Sequence, residues 1–361
     1  MKRLSLPVKL QLSKKSAKIA VIAVVLTLVF GIPFIRYGIF VKFSAGSGEN
    51  RVILDVKEGF TLTKIALELE KLRVISSEEL FVVYAKFQGS EGNIKAGPYL
   101  FDDGMTPPVI LRKLLAGDVY VRRFAVPEGY SMYQIAELLE RRGIVGREKF
   151  LEQCTDPSLL AELGINASSV EGYLYPCTYD INPATTAEAL VREMVFQFRK
   201  HYLRNFEAKV KALGMSSREV LTLASMVEKE AVESCERPMI ASVFLNRLRR
   251  NMPLQSDPTA VYKVRAFAGR VSKKDIMLDS PYNTYRIKGL PPGPIGNPGP
   301  DAIEAVLNPA RTNYLYFVAK MDGTHCFSVT LDEHNRAVER FLKSRHVPIE
   351  ARDLLPSRKS G

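Results

Sequence analysis

Two glutamates lie two positions apart at the end of an apolar run, "LASMVEKEA" at residues 223–231. On a helix that turns 100° per residue, Glu228 and Glu230 point to nearly opposite sides. Glu230 falls in the apolar arc, beside Met226 and Val227. Apolar surroundings raise the pKa of a carboxyl and keep it protonated near neutral pH, as a general acid requires. The alternative is a pair of solvated glutamates on an ordinary amphipathic helix.

Polar and aromatic side chains follow in two irregular segments that could bind a sugar chain. One is the turn at 255–258. The other is "SPYNTYRIKGLPPGPIGNPGP" (280–300), in which nine of the twelve residues from 289 to 300 are Gly or Pro. Loops this long and rigid usually shape a binding site. The predicted substrate-binding residues are Gln255, Ser256, Asp257, Tyr282, Asn283, Thr284, Tyr285, Asn297 and His325.

Several elements must position these residues. "SSREVLTLASMVEKEAV" predicts a helix that begins after a serine cap at Ser216 or Ser217. The segment "ERPMIASVFLNRLRRNMPLQSDPTAVY" (236–262) predicts a second amphipathic helix, followed by the turn that presents Gln255. "YLYFVA" (314–319) and "THCFSVT" (324–330) predict a strand hairpin around an Asp-Gly turn, and "LDEHNRAVERFLK" predicts a closing helix.

The N-terminus predicts a membrane anchor. Residues 1–18 carry six positive charges and no negative one, and residues 19–35 carry no charge. As a helix this run spans ~25 Å, near the lower limit for a bilayer, and it can extend to Val41 if Arg36 snorkels toward the headgroups. A cleaved signal peptide is the alternative, but its apolar core would be shorter. Because basic flanks stay in the cytoplasm, we expect a cell (inner) membrane protein whose residues from about 44 onward are periplasmic or extracellular.

An internal repeat follows the anchor. "VKEGFTLTKIALELEKLRVI" starts at Val56 and "VPEGYSMYQIAELLERRGIV" starts at Val126, an offset of 70 residues. Each copy predicts a strand, a glycine turn, a Thr or Ser cap and an amphipathic helix. The pattern resembles the first half of a LysM module, a small fold that binds N-acetylglucosamine polymers. The alternative is a packing unit without a ligand.

Composition excludes several other classes. The formal net charge of +12 suits an anionic polymer or a membrane surface, and no zinc-finger or RNA-binding signature accompanies it, so we expect no nucleic acid partner. The four cysteines lie far apart without a C-x-x-C pair, so we expect no metal, and nothing in the sequence indicates a cofactor.

Residues 221–336 resemble the catalytic domain of the endolytic murein transglycosylases, the MltG/YceG-like family. The shared motifs are "ASMVEKEA", "ERPMIASVFLNRL", "MPLQSDPTAVY", "SPYNTYRIKGLPPGPIGNPG", "YLYFVA" and "THCFSVTLDEHN". With "EGYLYPCTY", the anchor and the LysM-like portion, the resemblance extends from residue 19 to about 343. The family usually has Asp where Cys177 stands, so no polar role is carried onto this position.

The resemblance implies a lyase that cuts nascent peptidoglycan strands internally, between N-acetylmuramic acid and N-acetylglucosamine, and leaves a 1,6-anhydro end. It implies that Glu230 donates a proton and then takes one, with Glu228 as the reserve candidate. Expected partners are glycan strands, the membrane and peptidoglycan synthases. Two alternatives remain: a non-catalytic glycan-binding anchor, and a hydrolytic muramidase that uses Asp257 as its second carboxylate.

Together these patterns predict an α+β fold with an N-terminal transmembrane helix. The expected parts are a cytoplasmic tail (1–18), the transmembrane helix (19–41), a LysM-like α/β portion with the internal repeat (50–150), an α+β catalytic domain (151–343) and a tail (344–361). The Gly- and Ser-containing linker at 44–50 separates the anchor from the remainder.

Overall fold

A computed structural model describes residues 18–19, 21–22, 24–25, 27–202, 206–264, 271–320 and 322–343. The predicted tail at 1–18 lies outside the described residues except for residue 18, and the predicted tail at 344–361 lies wholly outside them. The chain divides into two compact units. The N-terminal unit is Met1–Arg122 with Asn182–Ala184, and the C-terminal unit is Arg123–Ile181 with Thr185–Gly361.

The N-terminal unit has a strand–helix–helix–strand order followed by a third helix. Its elements after the N-terminal helix α1 (Ile32–Lys42) are β1 (Arg51–Val56), α2 (Leu62–Lys71), α3 (Glu78–Phe87), β2 (Gly97–Asp102) and α4 (Pro107–Ala116). The two strands pair antiparallel, with Arg51 opposite Asp102. Phe81, Tyr99 and other fully buried apolar side chains form the core between the sheet and the helices.

The predicted membrane span begins in residues that are only partly described, since residues 20, 23 and 26 lie outside the description. A π-helical turn, Thr27–Gly31, leads into α1. Within the described part of the chain, no helix combines the length and the apolar character that crossing a membrane requires. The large apolar side chains of this stretch are exposed, including Phe34 at 78% and Ile19 at 67%.

The C-terminal unit begins with a second copy of the strand–helix–helix order. Its first elements are β3 (Arg122–Ala125), α5 (Met132–Arg141), α6 (Arg147–Thr155), α7 (Pro157–Glu162), β4 (Thr178–Ile181) and α8 (Ala187–Tyr202). Strands β3 and β4 pair in a two-stranded sheet. Phe124, Ile135, Phe150 and Leu190 belong to one buried cluster that joins these elements.

The predicted repeat is confirmed in its local structure. The glycine turns have left-handed backbone at Gly59 (φ 81°) and Gly129 (φ 74°). The next helix begins at a cap in each copy, where the Thr61 or Ser131 side chain accepts a hydrogen bond from a backbone N–H. Four buried helix positions also repeat at the offset of 70, and they are Leu62/Met132, Ile65/Ile135, Ala66/Ala136 and Leu69/Leu139.

The division into two compact units separates the two copies of the repeat. Copy 2 lies in the C-terminal unit, whereas copy 1 lies in the N-terminal unit. The physical reason is the packing of α5: its buried residues share one cluster with α6 and α8, which follow it in the chain. The two copies of the repeat therefore contribute to separate hydrophobic cores.

The remaining C-terminal elements surround one buried helix. They are α9 (Phe206–Ala212), α10 (Ser217–Glu230), α11 (Arg237–Arg249), α12 (Asp257–Val261), α13 (Pro300–Leu307), β5 (Tyr316–Ala319), β6 (His325–Ser328) and α14 (Leu331–Val338). Residues 220–227 of α10 are all buried, because α11 and α13 pack on it within a second apolar cluster. The predicted hairpin is confirmed: β5 and β6 pair antiparallel, with Ala319 opposite His325. Helices with small two-stranded sheets make the fold α+β.

Candidate active site

Helix α10 carries Glu230 to the edge of a cavity. The helix begins at the predicted serine cap, where Ser216 accepts a hydrogen bond from the Glu219 N–H and the Glu219 carboxylate accepts one from the Ser216 N–H. The helix ends at Glu230, which is half-buried. A buried helix that stops at this residue places its carboxyl at the boundary between the apolar core and an open space.

The space beside Glu230 is a cavity of about 420 Å³. It is bounded by the end of α10, the turn before α12, strand β5 and helix α14. Its lining side chains are Glu230, Arg247, Leu254, Gln255, Asp257, Tyr285, Phe317, Val318, Ala319, His325 and His334. Five of the predicted site residues therefore line one cavity: Glu230, Gln255, Asp257, Tyr285 and His325.

Ser256 fixes the orientation of the Glu230 carboxyl. The Ser256 hydroxyl donates a hydrogen bond of 2.6 Å to Glu230 Oε1. Ser256 itself is held by Thr284, whose Oγ1 accepts a 2.9 Å hydrogen bond from the Ser256 N–H. Thr284 is fully buried. The predicted residues Ser256 and Thr284 therefore support the carboxyl from behind the cavity wall.

The pKa of Glu230 is raised to about 7, mainly because burial disfavours the charged form. The Ser256 hydrogen bond and the positive charge of Arg247 lower the pKa, and the nearby Asp257 carboxylate raises it. Near neutral pH, both protonation states of Glu230 are then populated. A carboxyl in this condition can donate a proton and later accept one.

Asp257 and Tyr285 form a second polar pair in the cavity. The Tyr285 hydroxyl donates a 2.6 Å hydrogen bond to Asp257 Oδ1. Gln255 adopts a left-handed backbone (φ 51°), which is uncommon for a residue other than glycine and indicates that the turn is constrained. The turn at 255–257 thus presents an amide and a carboxylate to the cavity while its serine holds the acid.

Arg247 is a site residue that the sequence analysis did not identify. Its guanidinium donates hydrogen bonds to the carbonyl oxygens of Leu315 (2.6 Å) and Leu254 (2.9 Å) and lies over the Tyr316 ring. It therefore ties β5 and the segment before Gln255 to α11, and it places a buried positive charge in the cavity wall. The available signal was its position four residues after Val243 and three after Phe244, on the apolar side of the helix.

The two histidines of the cavity differ in their surroundings. The predicted residue His325 is buried, and its Nδ1 lies 2.7 Å from Glu236 Oε2. His334, which the sequence analysis also missed, stacks on Tyr316 with a centroid distance of 5.3 Å. Burial and the charge of Arg247 lower the pKa of His334, so its imidazole is neutral at neutral pH. Its Nδ1 is buried and has no hydrogen-bond partner among the described residues.

Glu228 occupies a different environment from Glu230, as the helical periodicity predicted. Its side chain is only 6% exposed, and its Oε1 accepts a 2.8 Å hydrogen bond from the Arg237 guanidinium. Its Oε2 accepts a hydrogen bond from the Gly299 N–H. Glu228 does not line the Glu230 cavity. The structure places this reserve candidate in a buried ion pair.

Three further residues of the predicted substrate set also lie outside the lining of this cavity. Asn283 is fully buried and donates hydrogen bonds to the carbonyl oxygens of Ile276 and Leu278. Asn297 is buried and pairs with the backbone of Gly172. Tyr282 packs on Tyr262 with a centroid distance of 4.6 Å. The loop's two asparagines join it to neighbouring segments, because buried backbone groups in those segments must find hydrogen-bond partners.

The described residues contain no group of three or more His, Cys, Asp or Glu side chains that could hold a metal ion. The four cysteines, which lie within the described ranges, are all free. The polar side chains that line the cavity carry carboxyl, imidazole, guanidinium, amide and phenol groups.

The fold and the cavity define an α+β protein in which one glutamic acid with a pKa near neutrality faces a cleft with polar and aromatic walls. Residues 54–340 match the sequence profile of the YceG-like family, and the chain belongs to this family.

Named relatives are similar over most of the chain. It is 37% identical over 311 residues to the endolytic murein transglycosylase of Bacillus subtilis. The alignment covers 82% of this chain and 86% of that protein. It is 32% identical over 326 residues to the endolytic murein transglycosylase of Streptococcus pneumoniae. The alignment covers 81% of this chain and 59% of that protein. A crystal structure of a yceG-like protein from Listeria monocytogenes has a TM-score of 0.57 and 34% identity, and the alignment covers 80% of this chain and 99% of that chain.

Proposed function

We propose that this protein is an endolytic lytic transglycosylase of peptidoglycan that cleaves between N-acetylmuramic acid and N-acetylglucosamine and leaves 1,6-anhydro ends. The names of its relatives support the reaction class. The observation that carries the proposal is the position of Glu230: a carboxyl with a pKa of about 7, oriented by Ser256, at the edge of an open cavity.

Lytic cleavage needs only one proton-transferring carboxyl. Glu230 in its protonated form gives its proton to the glycosidic oxygen as the bond from that oxygen to the muramic acid anomeric carbon breaks. The 6-hydroxyl oxygen of the same muramic acid then bonds to the anomeric carbon, and the Glu230 carboxylate takes the hydroxyl proton. The acid is regenerated and no water is consumed. A pKa near the working pH suits both steps.

A hydrolytic muramidase is the second candidate. The observation that favours it is a second carboxyl, Asp257, in the same cavity as Glu230. Hydrolysis normally requires a second carboxylate that activates water or attacks the sugar. Asp257 lines the same cavity as Glu230, but its Oδ1 accepts the hydrogen bond from Tyr285. A non-catalytic glycan-binding protein would leave the raised pKa of Glu230 without a use.

The reaction products distinguish the three candidates. Purified protein is incubated with uncrosslinked glycan strands, and the ends of the products are identified by mass spectrometry. We expect anhydro-muramic ends from the wild type and none from Glu230→Gln, whereas Glu233→Gln, an exposed glutamate just beyond the same helix, should cleave normally. Free reducing muramic acid would identify a hydrolase, and unchanged strands would exclude an enzyme acting on this substrate.

We also propose that residues 19–41 anchor the protein in the cell (inner) membrane and that the enzyme acts outside the cytoplasm, beside peptidoglycan synthases. The uncharged run, its six preceding positive charges and the exposed apolar side chains at residues 19–39 support an anchor. The LysM-like copy in the N-terminal unit would bind glycan near the membrane. A reporter that is active only in the cytoplasm, fused after Gly361, should stay silent; a strong signal would contradict this topology.

A further inference from the structure

Glu171 is a buried carboxyl that the proposed reaction does not use. It belongs to "EGYLYPCTY" and is only 3% exposed. Its two oxygens accept hydrogen bonds from three different segments: the Met132 N–H (3.0 and 3.1 Å), the Asn297 side-chain amide (2.9 Å) and the Tyr262 hydroxyl (2.8 Å). A buried carboxyl is costly unless it is paired, so this arrangement constrains all three donors.

The three donors come from parts of the C-terminal unit that are far apart in the sequence. Met132 is the first residue of α5 in copy 2, and Asn297 belongs to the Gly/Pro-rich loop. Asn297 also exchanges backbone hydrogen bonds with the glycine turn of copy 2, since its N–H donates to Tyr130 and its carbonyl accepts from Gly129. Glu171 therefore joins copy 2 to the loop and to Tyr262.

Copy 1 shows that the repeat unit folds without such a carboxyl. In copy 1 the segment that leads into β2 and its first residues, 92–101, contain no acidic residue. Strands, cap and helices form in both copies. Glu171 is thus specific to the copy that lies in the same unit as Glu230.

Tyr262 connects Glu171 to the catalytic acid through one short helix. Helix α12 (Asp257–Val261) has Ser256 as its N-terminal cap and Tyr262 as its C-terminal cap. At one end, Ser256 donates the 2.6 Å hydrogen bond to Glu230. At the other end, Tyr262 donates the 2.8 Å hydrogen bond to Glu171. Four of the five helix residues are buried, so the helix cannot shift at one end without shifting at the other.

Lys229 gives a second connection to the same helix as Glu230. Its ammonium donates a 3.3 Å hydrogen bond to Gln134 of copy 2, and its charge attracts Glu171. Electrostatic interactions connect the Glu171 carboxyl with five titratable side chains: Lys229, Tyr133, Cys154, Tyr262 and Tyr282.

We propose that Glu171 is a positioning residue for Glu230: through Tyr262 and α12 it holds the Ser256 hydroxyl against the acid, and it makes copy 2 a structural part of the active site. This inference rests on the proposed function, since it predicts the efficiency of cleavage. Copy 2 then differs from copy 1 in its task, although the two share a sequence pattern.

The test measures kcat and KM of the full chain on soluble glycan strands, together with thermal stability. Tyr262→Phe keeps the ring and removes the hydroxyl that bonds Glu171. We expect kcat to fall about 10–100-fold with KM within about twofold, because a small displacement of a catalytic group has effects of this size. The matched control is Tyr179→Phe, which removes another buried tyrosine hydroxyl of the same unit, bonded to the Tyr175 carbonyl. It should lower stability without lowering kcat.

A double variant separates positioning from general destabilisation. If Tyr262 acts through the Ser256 contact, Tyr262→Phe should lower kcat less than about threefold in a Ser256→Ala background, because coupled residues are not additive. Multiplicative losses, or an unchanged kcat in Tyr262→Phe, would overturn the proposal. Should Tyr262→Phe fail to fold, Glu171→Gln takes its place with the same expectations. A wild type that does not cleave would refute the proposed function instead.

Discussion

Replacing either of the two glutamates at the end of α10, Glu228 or Glu230, with glutamine should change stability and cleavage in opposite ways. Glu230 is half-buried at the cavity, and its polar contact is the Ser256 hydroxyl. Glu228 is 6% exposed and bonded to the Arg237 guanidinium and the Gly299 N–H. Glutamine is nearly isosteric with glutamate and cannot ionise. Each substitution therefore removes a charge and a transferable proton while it preserves the volume of the side chain.

For Glu230→Gln, we expect cleavage to fall by roughly 10²–10⁴-fold or more, the range for loss of a general acid and base. The folded-state pKa of about 7 lies above the ordinary value of 4.5, so the contribution of Glu230 to stability is fully present below pH 4.5 and is lost as the pH rises through about 7. The full difference corresponds to about 3 kcal/mol, and solvation from the open cavity reduces it to about 1–2 kcal/mol. Glu230→Gln should be more stable than the wild type by this amount at pH 8, and by less at pH 5.

For Glu228→Gln, we expect a loss of stability with little loss of chemistry. Removing one partner of a buried ion pair costs about 3–5 kcal/mol. The lower end applies here, because Asp301 and Glu128 lie 3.4 and 3.9 Å from the Arg237 guanidinium and still compensate part of its charge. Glu228 does not line the cavity, so the folded variant should cleave within a few-fold of the wild-type rate.

Urea denaturation at pH 5 and pH 8 gives the free energies of unfolding, and mass spectrometry of the glycan products gives the rates per folded molecule. The reasoning fails if Glu230→Gln cleaves at nearly the wild-type rate. It also fails if Glu228→Gln is as stable as the wild type and inactive, since the roles of the two glutamates would then be exchanged.

Three other substitutions test the surroundings of the acid. Ser256→Ala removes a hydrogen bond that favours ionised Glu230, so the pKa should rise by roughly 1 pH unit and the high-pH loss of activity should move upward equally in a pH–rate profile. Thr284→Val leaves the buried Ser256 N–H without an acceptor and should cost about 1–3 kcal/mol in urea denaturation. Burial raises the pKa of Glu171 to about 7, so the contribution of Glu171 to stability should decline between pH 4.5 and 7, and Glu171→Gln should remove up to about 3 kcal/mol of pH-dependent stability loss. An unchanged pH–rate profile for Ser256→Ala, an unchanged free energy of unfolding for Thr284→Val, or an unchanged pH dependence of stability for Glu171→Gln would contradict the corresponding expectation.

The elements that sequence predicted well are those with local causes. A glycine turn followed by Thr61 or Ser131 indicates a helix start because the side chain satisfies a backbone N–H within the same four residues. The direction of the two glutamates was also local, since 3.6-residue periodicity alone separates Glu228 from Glu230. The raised pKa of Glu230 followed from the same periodicity, because the apolar arc became a buried face.

Long-range contacts explain what sequence could not predict. The position of Arg247 on the apolar side of its helix indicates burial, but one acceptor of its guanidinium is the Leu315 carbonyl, 68 residues away, so its own helix does not show what would compensate the charge. The boundary between the units likewise depends on which helices share a core with α5, and the two copies of the repeat look equivalent until their neighbours are known.

The asparagines of the 280–300 loop show why residue type alone misplaces a ligand contact. The side chains of this loop satisfy buried backbone groups of the segments that pack against it or precede it, because such groups need hydrogen-bond partners. Asn297 accepts hydrogen bonds from the Gly172 and Leu174 N–H groups, and Asn283 donates to two carbonyl oxygens. An amide that is saturated in this way has no bond left to offer a sugar. Gln255 lines the cavity, and the one side-chain hydrogen bond of its amide is a 3.4 Å bond that its oxygen accepts from Arg247, so its amide nitrogen is the stronger candidate for holding a glycan strand.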